Sequence, residues 1–265
     1  MKAFFKLMSL SIQAKLYYKT SFFMNLLTPL VLLAGQYLLW GSLFRLQDNA
    51  SVGNMTREDM FSYILVAFAI RNLLTWSSEN ALSREIRSGT VVSRCVRPVS
   101  FLSQTASEMT GNLCLQGIVN FIVMILGFII FSRYLTLPSL HSIFFFVPFF
   151  ILSCILRILF ANVFSLLCFF TTGHLGISWT REALFDFFSG TVIPVTLFPV
   201  FLRNITYYTP FPYMLQVPVS IFLDQKQNID LPFLFMIQIM WIGLFFVLHH
   251  LMYKKIRKNL TIAGG

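Results

Sequence analysis

The stretch FFSGTVIPVTLFPVFLRNITYYTPFPYMLQVPVS, residues Phe187 to Ser220, holds five of the chain's ten prolines (Pro194, Pro199, Pro210, Pro212, Pro218) in an otherwise apolar setting. Proline removes a backbone donor and breaks the helical ladder, and hydrocarbon cannot solvate the carbonyls it frees. At membrane depth, such a segment must rest against other protein or line a cavity. Residues 186–222 are therefore the place to expect a substrate path or gate.

The composition around this stretch is that of an integral membrane protein. Of 265 residues, 57% are hydrophobic and 11% charged, with 31 phenylalanines, whereas a soluble domain carries about 25% charged residues. The mean hydropathy is +0.74. Apolar runs near the roughly 20 residues that cross the hydrocarbon layer recur along the chain. They predict an all-α, polytopic fold of six spans at about 22–44, 60–80, 107–131, 142–170, 182–202 and 231–252. Pro148 and Arg157 interrupt the fourth span, and the proline-rich stretch follows the fifth. The run from Phe22 to Phe44 exceeds the roughly 7–15 residues of a signal-peptide core, so it is expected to remain as the first span.

The net charge of +10 would suggest nucleic acid in a soluble protein, but here its distribution reports topology. With six spans, one side carries Lys2, Lys6, Lys15, Lys19, Arg84, Arg87, Arg94, Arg97, Arg181, Lys254, Lys255, Arg257 and Lys258, and the other only Arg45, Arg57, Arg133, Arg203 and Lys226. Both termini are therefore expected in the cytoplasm, and no nucleic-acid partner is expected. Residues 1–20 are read as an amphipathic interfacial helix: Phe4, Phe5, Met8 and Ile12 face one way and Lys2, Lys6, Ser9 and Gln13 the other, with the lysines toward anionic lipid. No repeat or linker divides residues 1–265, which read as one domain.

The largest charged segment between spans is the loop 82–100, ALSREIRSGTVVSRCVRPVS with its first alanine at Ala81. At 100° per residue, Val91, Val92, Cys95, Val96 and Val99 cover one arc, and Thr90, Ser93, Arg94 and Arg97 the other. Gly89 can end the preceding helix and Pro98 this one. Such a helix can lie flat with its valines in the membrane and its arginines toward the cytosol. Two readings stay open: a simple surface helix, or a docking element for a cytosolic partner.

Together the two stretches resemble the permease subunits of ABC transporters, specifically the type-2 exporter class of six-span permeases. Glu85 to Ser100 is similar to that class's acidic-Ile-x-x-Gly-Thr…Arg-Pro cytosolic stretch, and Ser189 to Leu223 to its Ser-Gly…Pro…Phe-Pro…Pro-Phe…Pro segment. The resemblance implies a coupling helix that fits a groove on a separate ATPase subunit, two permeases around a central path, and re-entrant hairpins after span five. It places coupling on Glu85, Arg87, Gly89, Thr90, Arg94, Arg97 and Pro98, and an outer gate on Ser189, Gly190, Pro194, Pro199, Pro210, Phe211 and Pro218. It also implies two ATPase subunits, a second permease that is identical or homologous, and a bacterial inner membrane. No GxxxxGK[ST] occurs, so this chain is expected to hold no cofactor, with ATP and Mg bound on the partner.

Arg71 and Arg157 fall inside apolar spans, where an arginine costs about 2.5–3.5 kcal/mol on insertion scales, so each is expected to face the bundle and a partner. Asp186 and Glu182 are the nearest acids, and a pairing of Arg157 with Asp186 is expected to join spans four and five. Cys95, Cys114, Cys154 and Cys168 form no CxxC pair, and His141, His174, His249 and His250 have no metal-ligand spacing. No metal or catalytic site is expected. Clusters such as Phe144 to Phe146 read as lipid-facing. Asn49, Asn54 and Asn204 match glycosylation acceptors, which have no use in a bacterium.

Two other functions compete. An ion-coupled secondary transporter would also use broken helices, but the first half holds no matching broken segment and acids suited to a relay are scarce. A membrane-embedded lipid-modifying enzyme would need Ser, His, Asp or Glu converging at one depth, and no such cluster is visible in the sequence. The expected activity is outward movement of a hydrophobic or amphipathic compound, driven by the separate ATPase.

Overall fold

A computed structural model describes residues 2–17, 19–46, 51–52, 55–74, 79–131, 138–171, 174–225 and 230–259. The described residues form α1 (Lys2–Tyr17), α2 (Lys19–Leu46), α3 (Arg57–Leu74), α4 (Glu79–Arg87), α5 (Val92–Val96) and α6 (Phe101–Phe131). These are followed by α7 (Leu140–Leu166), α8 (His174–Phe188), α9 (Val200–Tyr207), α10 (Phe211–Met214), α11 (Gln216–Phe222) and α12 (Leu231–Asn259), with no β-sheet among the described residues. The expected all-α class is what forms. Among the described residues, two segments have the length and apolarity to cross a membrane: Leu140–Phe169, 30 residues at mean hydropathy 2.6, and Leu231–Lys258, 28 residues at 2.3. A shorter apolar helical run covers Leu30–Leu46.

α3 is the centre of the molecule. Every residue from Met60 to Ile70 is buried, which no amphipathic surface helix could be. Its start is secured by a reciprocal cap: the Thr56 amide donates to Asp59 Oδ2 at 3.2 Å while the Asp59 amide donates back to Thr56 Oγ1 at 3.2 Å. α6 packs along α3, and α7 packs against both α12 and α11. Large apolar side chains such as Leu38, Ile129, Phe144, Met236 and Val247 remain exposed on the outer helices. An apolar belt of that extent is a lipid-facing surface.

Two sequence expectations about the spans are corrected. The fourth span is not interrupted, since α7 continues through Pro148 and past Arg157 and ends in a 3-10 turn at Leu167–Phe169. The fifth expected span, 182–202, is not one helix. α8 begins eight residues earlier and stops at Phe188, because Gly190 turns into the left-handed region at φ +88° and Pro194 cannot continue the ladder. The side chains of Arg87 and Cys95, and residues Asn49, Asn54, Arg133 and Lys226, lie outside what the structure describes.

The N-terminal segment is helical as expected and lies along α6. Ser11 Oγ donates to the Glu108 carbonyl at 3.3 Å. Gly111 permits the approach, for a Cβ there would come within 2.9 Å of the Met8 carbonyl oxygen. Replacing Gly111 with valine should therefore push α1 off α6 and cost about 2 kcal/mol, the usual scale of overpacking. Thermal unfolding in detergent and protease sensitivity before residue 20 would register it; an unchanged cleavage pattern would contradict the contact.

Candidate functional site

At one end of the bundle, α4 and α5 are joined by a turn that needs Gly89, whose φ is +72°. The turn is closed by the Val91 amide donating to the Glu85 carbonyl at 3.1 Å and by Ser88 and Thr90 hydroxyls 2.8 Å apart. Arg97 ends α5 in extended backbone before Pro98. The sequence places these breaks correctly.

The faces of α5 are not as the periodicity predicts. Arg94 is 8% exposed, whereas Val92 is 46% and Val96 77% exposed. Arg94 Nε and Nη2 donate to the two Glu85 carboxylate oxygens at 2.5 and 2.8 Å, and Nη2 also reaches Glu108 Oε1 on α6 at 3.1 Å. Gln104 Nε2 on α6 donates to the carbonyls of Arg94 and Val99 at 2.8 and 2.9 Å, and Arg97 Nη1 donates to Gln104 Oε1 at 3.5 Å. Burial by itself would lower the Arg94 pKa, but the hydrogen bond to Glu85 and the charges of Glu108 and Glu85 raise it above its ordinary value. Arg94 is thus an internal strut joining α4, α5 and α6. The arc drawn over Val91 to Val99 does not hold because the helix is only the five residues Val92–Val96. Of the valines, Val91 is the one that packs inward, with Leu82, Phe101, Leu166 and Ile256.

Three further cations and two acids sit where α3, α7 and α8 meet. Arg71 grips Asp186 with two parallel bonds of 2.7 Å. Arg157 is 2% exposed and bonds Glu182 at 3.2 and 3.3 Å, and its guanidinium lies 3.8 Å from the centre of the Phe185 ring. Arg181 Nη2 holds Glu182 Oε1 at 2.8 Å. The expected Arg157–Asp186 pairing is therefore corrected: Asp186 belongs to Arg71, and Arg157 to Glu182. Glu182 and Asp186 are one helical turn apart on α8, so they share a face, and α3 and α7 each supply one arginine to it.

The proline-rich stretch resolves into short helices that begin at its prolines. Pro194 precedes a 3-10 turn at Val195–Leu197, Pro199 precedes α9, Pro210 and Pro212 open α10, and Pro218 is the third residue of α11. The first amides of a helix have no intrahelical acceptor, so a proline costs little there. The freed polar groups are met by side chains from the long helices. Tyr63 on α3 donates to the Gly190 carbonyl at 2.7 Å, and its hydroxyl also contacts Gln216 Oε1, which accepts from the Val195 amide at 3.2 Å. Ser153 on α7 and Gln238 on α12 both donate to the Tyr213 carbonyl, at 2.8 and 2.9 Å. Pro210 and Pro212 to Ser220 are buried, while Pro199, Val200, Phe201, Ile205 and Tyr208 face outward.

Most residues of the two expected sites are thus gathered into two separate places. Glu85, Gly89, Thr90, Arg94, Arg97 and Pro98 share one turn. Ser189, Gly190, Pro194, Pro210, Phe211 and Pro218 lie around Tyr63 and Gln216 or the neighbouring core, with Pro199 on the exposed rim. Sequence reasoning passed over Tyr63, Gln104, Glu108, Ser153, Gln216 and Gln238. Single polar residues in apolar helices were the available signal, since a buried amide must find a partner. No group of His, Cys, Asp and Glu suited to a metal occurs among the described residues.

No match is found among curated proteins. Residues 30–264 match the family described as ABC-2 family transporter protein. With nearly all of its length inside that match, this helical, lipid-belted chain belongs to the ABC-2 transporter permease family.

Proposed function

We propose that the chain is the membrane-spanning subunit of an ATP-driven exporter that moves a hydrophobic or amphipathic compound outward. It would cross the bacterial inner membrane six times with both termini in the cytoplasm, and pair with a second permease, identical or homologous. Two separate ATPase subunits would bind ATP and Mg. The chain itself does no covalent chemistry; it presents openings to the two sides in turn, as partner contacts shift the population between states.

The observation that carries this reading is the Arg94 strut. A five-residue helix offers Val92, Val96, Arg97 and Pro98 to a partner while Arg94, Glu85, Glu108 and Gln104 lock it to α4 and α6. A push on α5 would reach α4 and the 31-residue α6 without being lost in a flexible loop. The Pro194–Pro218 segment, hung from α3, α7 and α12 by Tyr63, Ser153 and Gln238, would act as the outer lid.

The test separates contact from framework. Val96→Glu changes only an exposed side chain, and it should cut co-purification of the ATPase subunits about tenfold, the scale of one interface anchor. Membrane insertion and thermal stability should stay at wild-type values. An unchanged complex that still hydrolyses ATP in response to transported compounds would remove α5 as the docking element.

A further inference from the structure

The last turns of α12 carry two opposed faces. Leu244, Val247 and Leu251 are exposed at spacings of three and four residues, so they form one stripe, and Lys254 and Lys258 continue it. The stripe passes from apolar to cationic within a single turn. On the other side Phe245, His249 and Ile256 are buried, again at helical spacing. Ile256, 3% exposed, packs with Leu82 of α4, Val91 just before α5, Phe101 of α6 and Leu166 of α7. The Tyr253 ring stacks on Phe101 with centres 5.4 Å apart. One turn of helix thus enters the core beneath the Gly89 turn with one face and leaves Lys254 and Lys258 exposed on the other, with Lys255 and Arg257 exposed on the flanks.

We infer that this helix end is a contact for the headgroups of anionic phospholipids, and that the lipid braces the α4–α5 turn through Ile256. Position selects the lipid. Lys254 stands three residues, about 4.5 Å of helix rise, beyond the exposed Leu251, at the depth where an apolar belt gives way to phosphates. Lysine stems can lie along that belt while their ammonium groups reach the headgroups. Charge complementarity agrees: the four cations fall within five residues, none of them is in an ion pair among the described residues, and the sequence from 231 to 265 contains no Asp or Glu. A lipid held there restrains the helix end, and Ile256 passes the restraint to Val91, the valine beside the short helix that packs inward. That these headgroups belong to the cytosolic leaflet, and that bracing the turn affects coupling, rests on the function proposed above; the lipid contact does not.

The test uses the full-length chain in nanodiscs of phosphatidylcholine, with and without an equal part of phosphatidylglycerol. Native mass spectrometry should show phosphatidylglycerol retained about tenfold over phosphatidylcholine, since each cation at an anionic surface is worth roughly fivefold. In the mixed discs the amides of Ser88, Gly89 and Val91, which close the turn, should exchange with deuterium severalfold more slowly. The combined variant Lys254→Gln, Lys255→Gln, Arg257→Gln, Lys258→Gln should lose both effects and keep the wild-type exchange rate in phosphatidylcholine alone. Ile256→Ala should keep the lipid preference and lose the slowing; if it does not fold, Ile256→Val serves with a smaller loss. Equal retention of the two lipids by the wild-type chain, a preference that survives the glutamine variant, or slowing that is absent from the wild type or survives at Ile256→Ala overturns the inference. So does a glutamine variant that keeps the lipid but no longer co-purifies with ATPase subunits, for the cations would then face that partner. Both lipid effects in a chain that binds no ATPase would sink the exporter reading and leave this contact standing.

Discussion

Replacing Gly190 with leucine is expected to destabilise the centre of the molecule strongly. The residue sits at φ +88°, where a side chain is strained, and its Cβ would meet Gln216 Oε1 at 2.4 Å and Tyr63 Oη at 2.7 Å. Strain of about 1–3 kcal/mol adds to the loss of buried hydrogen bonds at about 1–3 kcal/mol. The sum, about 4 kcal/mol, should lower the unfolding midpoint in detergent by about 10 °C for a chain of this size. Transport should fall with it, since the Gly190 carbonyl ties the start of the broken segment to α3. Gly35, with nothing within 4 Å of its Cβ position, is the control: Gly35→Leu should leave the midpoint in place. Equal midpoints for both variants would mean that the Tyr63–Gly190–Gln216 contact does not hold the broken segment.

The second large effect is expected at Arg94. Reversing its charge with Arg94→Glu would set three carboxylates against one another at the junction of α4, α5 and α6, and breaking a buried pair of this kind costs about 3 kcal/mol or more. The loss should appear as lower stability before any loss of partner binding, which separates it from Val96→Glu. Adding Glu108→Arg to Arg94→Glu restores one pair and should return a measurable part of the lost stability in a double-mutant cycle. If Arg94→Glu alone leaves the melting curve unchanged while abolishing ATPase binding, Arg94 faces the partner and the strut is wrong.

The comparison between α5 and the proline-rich stretch shows what a sequence can carry. Gly89 and Pro98 bound the cytosolic helix, and the five prolines stand before or within the first turn of the short helices after α8, because φ freedom and a missing donor are properties of the residue itself. Which way Arg94 points is a different kind of fact. It depends on Glu85 on α4 and Glu108 on α6, both outside the short helix, and a helix of five residues has too few positions for its own pattern to override that attraction. The same holds at Asp186: the chain shows two arginines and two acids in neighbouring spans, but the rotation of α8 between α3 and α7 decides who pairs with whom.

By itself, then, the sequence determined the solvent, the helical class and the breaks around Gly89, Pro98 and Gly190, though not the outcome at Pro148, since hydropathy, proline and glycine act locally. Only the tertiary structure decided how the breaks are tolerated: Tyr63, Ser153 and Gln238, each from a different long helix, supply the hydrogen bonds that the broken backbone needs. It also turned the arginine of the short cytosolic helix inward and its valines outward. The physical reason is common to both. A polar group removed from water is satisfied by whatever the fold brings within about 3 Å, and that proximity is set by packing between separate helices.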